Sequence, residues 1–270
     1  KIYKGKKVLV TGHTGFKGSW LSLVLKIFGA KVYGYSLKPK NIKSNFYLNK
    51  LDKTINNNYG DVRNYNKLNK YISSIKPDIV FHLAAQALVK DSYLDPINTY
   101  STNVMGTANL LNIIKDKKFI KALVCITSDK CYENKEWIHG YRENDQLGGI
   151  DPYSASKASA EIVFSSFLRS IFNFKRTGYA TARAGNVIGG GDWSENRIVP
   201  DAVKSVIKNN FLNLLNPHST RPWEHVLEPI NGYLKLGYYL LKDPKNYSGS
   251  WNFGPSSEKR KSVHELVELL

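Results

Sequence analysis

Residues 7–28 read KVLVTGHTGFKGSWLSLVLKIF, and the fold turns on this stretch. Lys7–Thr11 is an apolar run of strand length that stops at Gly12. Gly12, Gly15 and Gly18 lie three apart, and Trp20, Leu21, Leu23, Val24, Leu25 and Ile27 then mark a helix over Gly18–Phe28. A strand, a glycine turn and a helix in that order let a pyrophosphate approach the backbone at the positive end of the helix dipole. The spacing is GxxGxxG rather than the GxGxxG fingerprint, and no Gly-Lys-Ser/Thr ends it, so a P-loop is excluded.

Outward from this turn the chain alternates. Lys31–Tyr35 reads as a second strand, and Asn64–Ile75 as a helix stopped by Lys76-Pro77. Strand Ile79–Leu83, helix Pro96–Lys115, strand Ala122–Thr127, helix Tyr153–Phe172 and strand Tyr179–Arg183 complete the series. A further strand near Thr54–Asn58 is required by the topology, although its polar residues give no pattern. Short apolar strands separated by helices imply a buried parallel sheet with right-handed crossovers. The expected class is therefore α/β, a doubly wound Rossmann sheet with a smaller C-terminal substrate-binding region. Residues 1–185 are expected to form the dinucleotide-binding domain. Beyond them, Gly189-Gly190-Gly191-Asp192-Trp193 and prolines from Pro200 to Pro255 punctuate shorter elements. Residues 186–270 are thus assigned mainly to substrate, with some segments returning to the first domain.

Composition narrows the function. With 270 residues, 42% hydrophobic and 23% charged, the chain can bury a sizeable core and is not a disordered type. No apolar run reaches the roughly 18 residues that span a bilayer. The basic start, Lys1 to Lys7, leads into only Val8–Gly12 before glycine intervenes, too short for a signal-peptide core. Two cysteines exclude a disulfide scaffold, and the six histidines show no metal-ligand spacing, so no metal is expected. A cytoplasmic protein is the default. The net charge of +17 would suit an anionic partner. The lysines are spread along the chain, however, and enrichment in Lys, Asn, Ile and Tyr together reads as codon bias, so nucleic acid is not the expected partner.

Two clusters carry chemistry. Tyr153 and Lys157, four apart on a helix, share one face. A neighbouring ammonium favours the phenolate, so the tyrosine can take a hydroxyl proton while hydride leaves the same carbon. YxxxK alone is a weak signal in a chain with 17 tyrosines. Asp151-Pro152 ahead of it suits a helix start. Thr127-Ser128-Asp129-Lys130 follows a strand at the carboxyl end of the sheet, where ligands bind. A hydroxyl there can orient an alcohol and an aspartic acid can protonate a leaving group; alone, the segment could equally be a capped turn with solvated charges. The acid expected after the second strand is replaced by Tyr35-Ser36-Leu37-Lys38, and Lys38 could tolerate NADP. Asp61 is either an adenine contact or a cap for the following helix. Cys125 and Cys131 read as small core residues.

VTGHTGFKGSWL (10–21), FHLAAQ (81–86), NVMGT (103–107), TSDKCYEN (127–134), GYRENDQLGGIDPYSASK (140–157), ARAGNVIGGGDW (182–193) and RPWEHVLEP (221–229) follow in order. From Lys4 to the final helix the chain resembles the extended short-chain dehydrogenase/reductases that act on nucleotide sugars, and among them the 4,6-dehydratases. TSDKCYEN, GGGDW and RPWEHVLEP are narrower and resemble the branch that uses CDP-glucose.

That resemblance implies a redox-neutral, NAD-dependent elimination giving CDP-4-keto-6-deoxyglucose, with NADP not excluded. Tyr153 would take the C4 hydroxyl proton, Asp129 would protonate the departing C6 hydroxyl, and Ser128 and Lys157 would complete the catalytic set. Related dTDP-glucose enzymes carry Asp-Glu where this chain has Asp129-Lys130. Lys130 is therefore expected to be catalytic, whether as a neutral base, beside a water that acts as base, or as an enolate partner. The resemblance implies cofactor contacts from Gly12, His13, Thr14, Gly15, Phe16, Lys17 and Gly18. Ser36, Asp61, Val62, Thr127, Tyr153 and Lys157 join them, as do Leu83, Ala84, Ala85, Gln86 and Asn103. Asn186, Arg197, Arg221 and Asn252 match positions that hold the nucleotide diphosphate. A homodimer is implied, built from the Pro96–Lys115 and Tyr153–Phe172 helices and their copies. Members of the family usually continue for several tens of residues past the position of Leu270, so a truncated form is expected. The alternatives are another nucleotide-sugar 4,6-dehydratase or an epimerase, which would not need the Asp129-Lys130 pair, and a non-catalytic dinucleotide-binding regulator, which would not keep Tyr153 and Lys157.

Overall fold

The computed structural model describes residues 2–39, 41–255 and 261–270. Strands β1 (Lys7–Thr11), β2 (Lys31–Ser36), β3 (Asn56–Tyr59), β4 (Ile79–His82), β5 (Ala122–Ile126) and β6 (Gly178–Ala184) come first along the chain. They are followed by β7 (Asn186–Ile188), β8 (Thr220–Arg221), β9 (Trp223–His225), β10 (Gly249–Phe253) and β11 (Lys261–Ser262). Seven of these form one all-parallel sheet in the order β10-β6-β5-β4-β1-β2-β3. The order reverses between β1 and β4, and the carboxyl ends of these strands open a crevice there, the usual ligand position in an open α/β sheet.

Most positions of the inner strands are apolar because alternate residues face opposite helical layers. Val8, Val10, Phe81, Val124 and Ala180 join Leu21 and Leu25 of helix Phe16–Ile27 and Ile230, Tyr233 and Leu240 of helix Leu227–Lys242. Leu9, Val80, Leu123 and Cys125 face the other way, onto Leu68 and Ile72 of helix Tyr65–Ile75, Leu110 and Leu111 of helix Gly106–Ile114, and Phe164 of helix Pro152–Ser170. Fully burying one such side chain contributes about 1.5–3 kcal/mol, so these two layers anchor the sheet. Cys125 is a free thiol buried in the second of these layers, and Cys131 is a free thiol buried against Ala158 of helix Pro152–Ser170.

β3 lies close to the expected place with the sequence Asn56-Asn57-Asn58-Tyr59. It is an edge strand held by its ladder to β2, so burial left no apolar signature. β10 returns from residue 249 to pair with β6, and helix Leu227–Lys242 packs on the sheet, so residues 227–253 complete the Rossmann layers. β7 pairs with β9, and β8 with β11, as two small ladders. The helix between β4 and β5 has a π-helical turn at Ser101–Met105 between Pro96–Tyr100 and Gly106–Ile114. Ser262 closes a capping box with Glu265 and starts helix Val263–Glu268.

Candidate active site

At the end of β1 the chain turns at Gly12 with φ +73°, a conformation costly for any residue with a Cβ. A Cβ on Gly12 would lie 2.6 Å from the Ala84 nitrogen, and one on Gly18 would lie 2.1 Å from the Gly12 carbonyl oxygen. The glycines therefore let the loop after β4 and the start of helix Phe16–Ile27 close onto the turn. No side chain caps that helix at Gly15, and no acidic residue sits in its first turn. Its N-terminal amides thus remain open to an anion, and the turn fits a dinucleotide pyrophosphate.

The turn forms one wall of a cleft of about 1250 Å³ along the carboxyl ends of the strands. Of the candidate residues, Gly12, Thr14, Gly15, Phe16, Lys17 and Gly18 line it, as do Ser36, Asp61 and Val62. Leu83, Ala84, Ala85 and Gln86 line the floor, and Thr127, Ser128, Asp129, Lys130, Tyr153 and Lys157 the far side. Asn186 and Arg197 reach it from the second region, where Arg197 pairs with Asp192 at 3.0 Å. Among the described residues the Asn186 Oδ1 is buried without a hydrogen-bond partner, an acceptor left over for a ligand donor.

Four candidates are not brought to this surface. The His13 side chain turns inward, donating from Nε2 to Asn57 Oδ1 at 2.9 Å and packing edge-on to Phe46. Burial lowers its pKa to about 4, so it is a neutral core ring. Asn103 sits in the π-helical turn, where its Nδ2 donates to the Gln86 carbonyl at 3.0 Å and to Ser156 Oγ at 2.8 Å, while its Oδ1 accepts from the Gln86 amide at 2.8 Å. It braces the loop after β4 against the catalytic helix and does not face the cleft. Arg221 is exposed and bonds its neighbour's carbonyl on Thr220. Asn252 accepts from the Tyr132 hydroxyl at 2.7 Å and donates to the Tyr141 carbonyl at 2.9 Å, so its amide is consumed by structure.

Asp61 does not cap the next helix; Asn64 does, accepting from the Lys67 amide. Asp61 instead receives the Arg63 guanidinium at 2.6 Å, and these bonds hold its carboxyl below its usual value. Arg63 and Lys90 also line the cleft and were missed, since neither lies in a motif. Ser36 Oγ is 2.8 Å from Thr14 Oγ1, which ties the end of β2 to the glycine turn.

Asp151 caps helix Pro152–Ser170 through the Ser154 amide at 3.0 Å, which sets Tyr153 in its first turn at the cleft. Burial pushes the Tyr153 phenol up to about 12, against which a hydrogen bond with Ser128 pulls it down. Ser128 Oγ in turn donates to Asp129 Oδ1 at 3.0 Å. Burial and then the neighbouring Lys17 draw Lys157 down to about 8, and its ammonium lies 6.0 Å from the Tyr153 ring centroid. Lys17, itself drawn to about 8 by burial and then Arg197, is 3.5 Å from the Tyr233 hydroxyl. Glu224, which no sequence argument singled out, sits behind Lys17 with a raised pKa of about 7, caused by burial. Among the described residues no cluster of His, Cys, Asp and Glu could hold a metal ion, and no helix is long and apolar enough to cross a membrane.

A dinucleotide turn, a YxxxK pair and a strand-end Ser-Asp on one cleft define a member of the extended short-chain dehydrogenase/reductases. The family model for GDP-mannose 4,6 dehydratase matches residues 9–242, and the chain belongs to that nucleotide-sugar dehydratase family. A CDP-glucose 4,6-dehydratase from Salmonella typhimurium is 51% identical over 274 residues, which cover 100% of this chain and 76% of that protein. The dTDP-glucose 4,6-dehydratase of Streptomyces venezuelae, solved with NAD and a nucleotide bound, superposes with TM-score 0.81 at 22% identity, covering 97% of this chain and 79% of that one. A UDP-glucose 4-epimerase from Thermotoga maritima gives TM-score 0.82 at 22% identity, over 97% and 81% of the two chains. At these identities the two structures testify to the fold alone.

Proposed function

We propose that the protein is an NAD-dependent 4,6-dehydratase that converts CDP-glucose to CDP-4-keto-6-deoxyglucose with loss of one water. The observation that carries the reaction class is that Tyr153, Ser128 and Asp129 line one cleft, with the Ser128 hydroxyl donating to Asp129 Oδ1 at 3.0 Å, so that a phenol and a carboxyl group face the same space. An epimerase needs a group to take and return the C4 proton but no acid for C6; a 4,6-dehydratase needs both. The 51% identity to the Salmonella enzyme supports CDP-glucose as the substrate.

Tyr153 takes the C4 hydroxyl proton as phenolate, a form that burial alone opposes and that the Lys157 ammonium favours. The chemistry that NAD supplies when bound is acceptance of hydride from C4 and its return to C6. Oxidation at C4 acidifies the C5 proton, which passes to Lys130, lining the cleft beside Asp129, or to a water next to it while Lys130 faces the enolate, and a proton returns to C5 as C6 is reduced. Asp129 gives its proton to the C6 hydroxyl, which leaves as water. Ser128 orients the C4 hydroxyl between Tyr153 and Asp129. Arg197 offers its guanidinium to the diphosphate, a fork of donors matched to phosphate oxygens. Arg221 and Asn252 would reach the nucleotide only through rearrangement of their present contacts.

A homodimer accords with exposed Ile97, Tyr100, Met105 and Ile162 on the Pro96–Ile114 and Pro152–Ser170 helices. The two free thiols suit a reducing, cytoplasmic setting. Residues 186–226 and 261–270 form the substrate region in this reading, while 227–253 belong with the sheet. The test is incubation with NAD and, separately, CDP-, dTDP-, GDP- and UDP-glucose, followed by mass spectrometry. Loss of one water from CDP-glucose without net reduction of the cofactor is expected. Loss from another sugar overturns the substrate, and an isomer of unchanged mass overturns the reaction.

A further inference from the structure

Behind the cleft, one charged pair is almost wholly withdrawn from water. Arg183 NH2 meets Glu161 Oε2 at 2.7 Å, with side chains 4% and 1% exposed. A buried ion pair is weak evidence for stability, because desolvation offsets most of its attraction. What it is bonded to is more telling. Glu161 accepts from Thr127 Oγ1, from Thr181 Oγ1 at 2.9 Å and from Ser250 Oγ at 3.2 Å. Arg183 NH1 donates to the Tyr132 hydroxyl at 2.7 Å and to the Glu143 carbonyl at 2.9 Å. Thr127 and Tyr132 bracket the turn Ser128-Asp129-Lys130-Cys131. The anion therefore holds one end of the catalytic turn and the cation holds the other.

Glu161 has a second connection. It lies eight residues beyond Tyr153 and four beyond Lys157 on helix Pro152–Ser170, so all three share a face. We propose that the Glu161–Arg183 pair is a positioning device for the reaction: it fixes the Tyr153–Lys157 face against the Ser128–Asp129 turn, and the negative charge of Glu161 keeps Lys157 in its ammonium form. The inference rests on the dehydratase reading for its kinetic consequence only.

The surroundings of Lys157 show why such a charge is needed. Burial and Lys17, from the glycine turn, both oppose its cation, and Glu161 acts in the other direction. His82, at the end of β4, is lowered to about 3 by burial and then by Lys157, so it is neutral. The Cys125 and Cys131 thiols are raised by burial and remain neutral, and burial raises the resting Tyr153 phenol as well. Arg183 faces Glu161 from β6. Of the groups that act on Lys157, Glu161 is the anion.

The test compares the full chain with Glu161→Gln and with the double variant Glu161→Met, Arg183→Met. The single variant strands a buried cation and can lose its fold; the double variant removes both charges and is expected to keep its melting temperature. In Glu161→Gln the alkaline fall of kcat should move down by about one to two pH units, since one charge four residues away along a helix acts at about that strength. In the double variant, which also loses the opposing Arg183 cation, it should move the same way by a smaller step of about half a unit or more. With Lys157 starting at about 8, turnover of Glu161→Gln at pH 8 should fall about five- to fiftyfold, with KM within about threefold. A folded double variant that keeps the wild-type alkaline limb overturns the proposal. Direct ¹⁵N-NMR titration of Lys157 Nζ reads the same charge without activity, so a wild type that dehydrates no sugar sinks the proposed function separately. An unchanged Lys157 titration in the variants sinks the positioning role.

Discussion

Gly18→Ala isolates the role of the glycine turn. The new Cβ would stand 2.1 Å from the Gly12 carbonyl oxygen, 2.8 Å from its carbon and 3.0 Å from the His13 Cα, all backbone atoms that no rotamer change can move. The first distance is more than about 1 Å inside van der Waals contact. The helix start must therefore shift by roughly that amount away from β1. Overpacking of this kind costs about 1–3 kcal/mol. The intrinsic advantage of alanine over glycine in a helix, about 1 kcal/mol in its interior, recovers only part of this in the first turn. A net loss of about 1–2 kcal/mol lowers the melting temperature by several degrees in a chain of this size. A misplacement of about 1 Å at the pyrophosphate site should reduce turnover roughly a hundredfold. NAD affinity, read by calorimetry, should weaken at least about tenfold. Gly140→Ala, where a Cβ would meet nothing within 4 Å and which does not line the cleft, is the control and should change neither quantity. Wild-type NAD affinity and melting temperature in Gly18→Ala would refute the assignment of this turn as the dinucleotide cradle.

Asp129→Asn removes the acid while keeping its size. Release of water should slow by about 10²–10⁴-fold, while exchange of the C5 proton with deuterated solvent continues, and mass spectrometry distinguishes the two. Equal loss of both would remove Asp129 from the leaving-group step. Glu224→Gln tests the buried carboxylate beneath Lys17. Its pKa is raised from 4.5 to about 7, by burial above all, so its ionisation costs stability that is absent below pH 4.5 and fully felt above pH 7. The variant should therefore gain up to about 3 kcal/mol against urea at pH 8 and nothing at pH 4. A gain of the same size at both pH values would contradict the sign of that shift.

How much of this was legible without the structure depended on whether a residue's neighbours lie nearby in the chain. β1, β2, β4, β5 and β6 announced themselves because both their faces are largely buried, and Asp151-Pro152 marked the start of helix Pro152–Ser170 by a local cap. The GxxGxxG turn and the YxxxK pair are likewise local, each set by the geometry of one turn or one helix face. β3 and β10 were not visible by periodicity, since Asn56–Tyr59 and Gly249–Phe253 are only partly buried and take their strand form from a neighbour's ladder.

Sequence by itself thus determined the sheet class, the dinucleotide turn and the candidate set Ser128, Asp129, Lys130, Tyr153 and Lys157 proposed for the chemistry, each written within a short span of residues. Only the tertiary structure decided that His13 turns into the core, that Asn103 and Asn252 spend their amides on bracing, and that Arg221 stays outside the cleft. It also joined Glu161 to Arg183, Thr127 and Ser250, residues up to 89 positions apart. The physical reason is that the direction of a buried polar side chain is set by the partner that satisfies it, and those partners become neighbours only once the sheet has assembled.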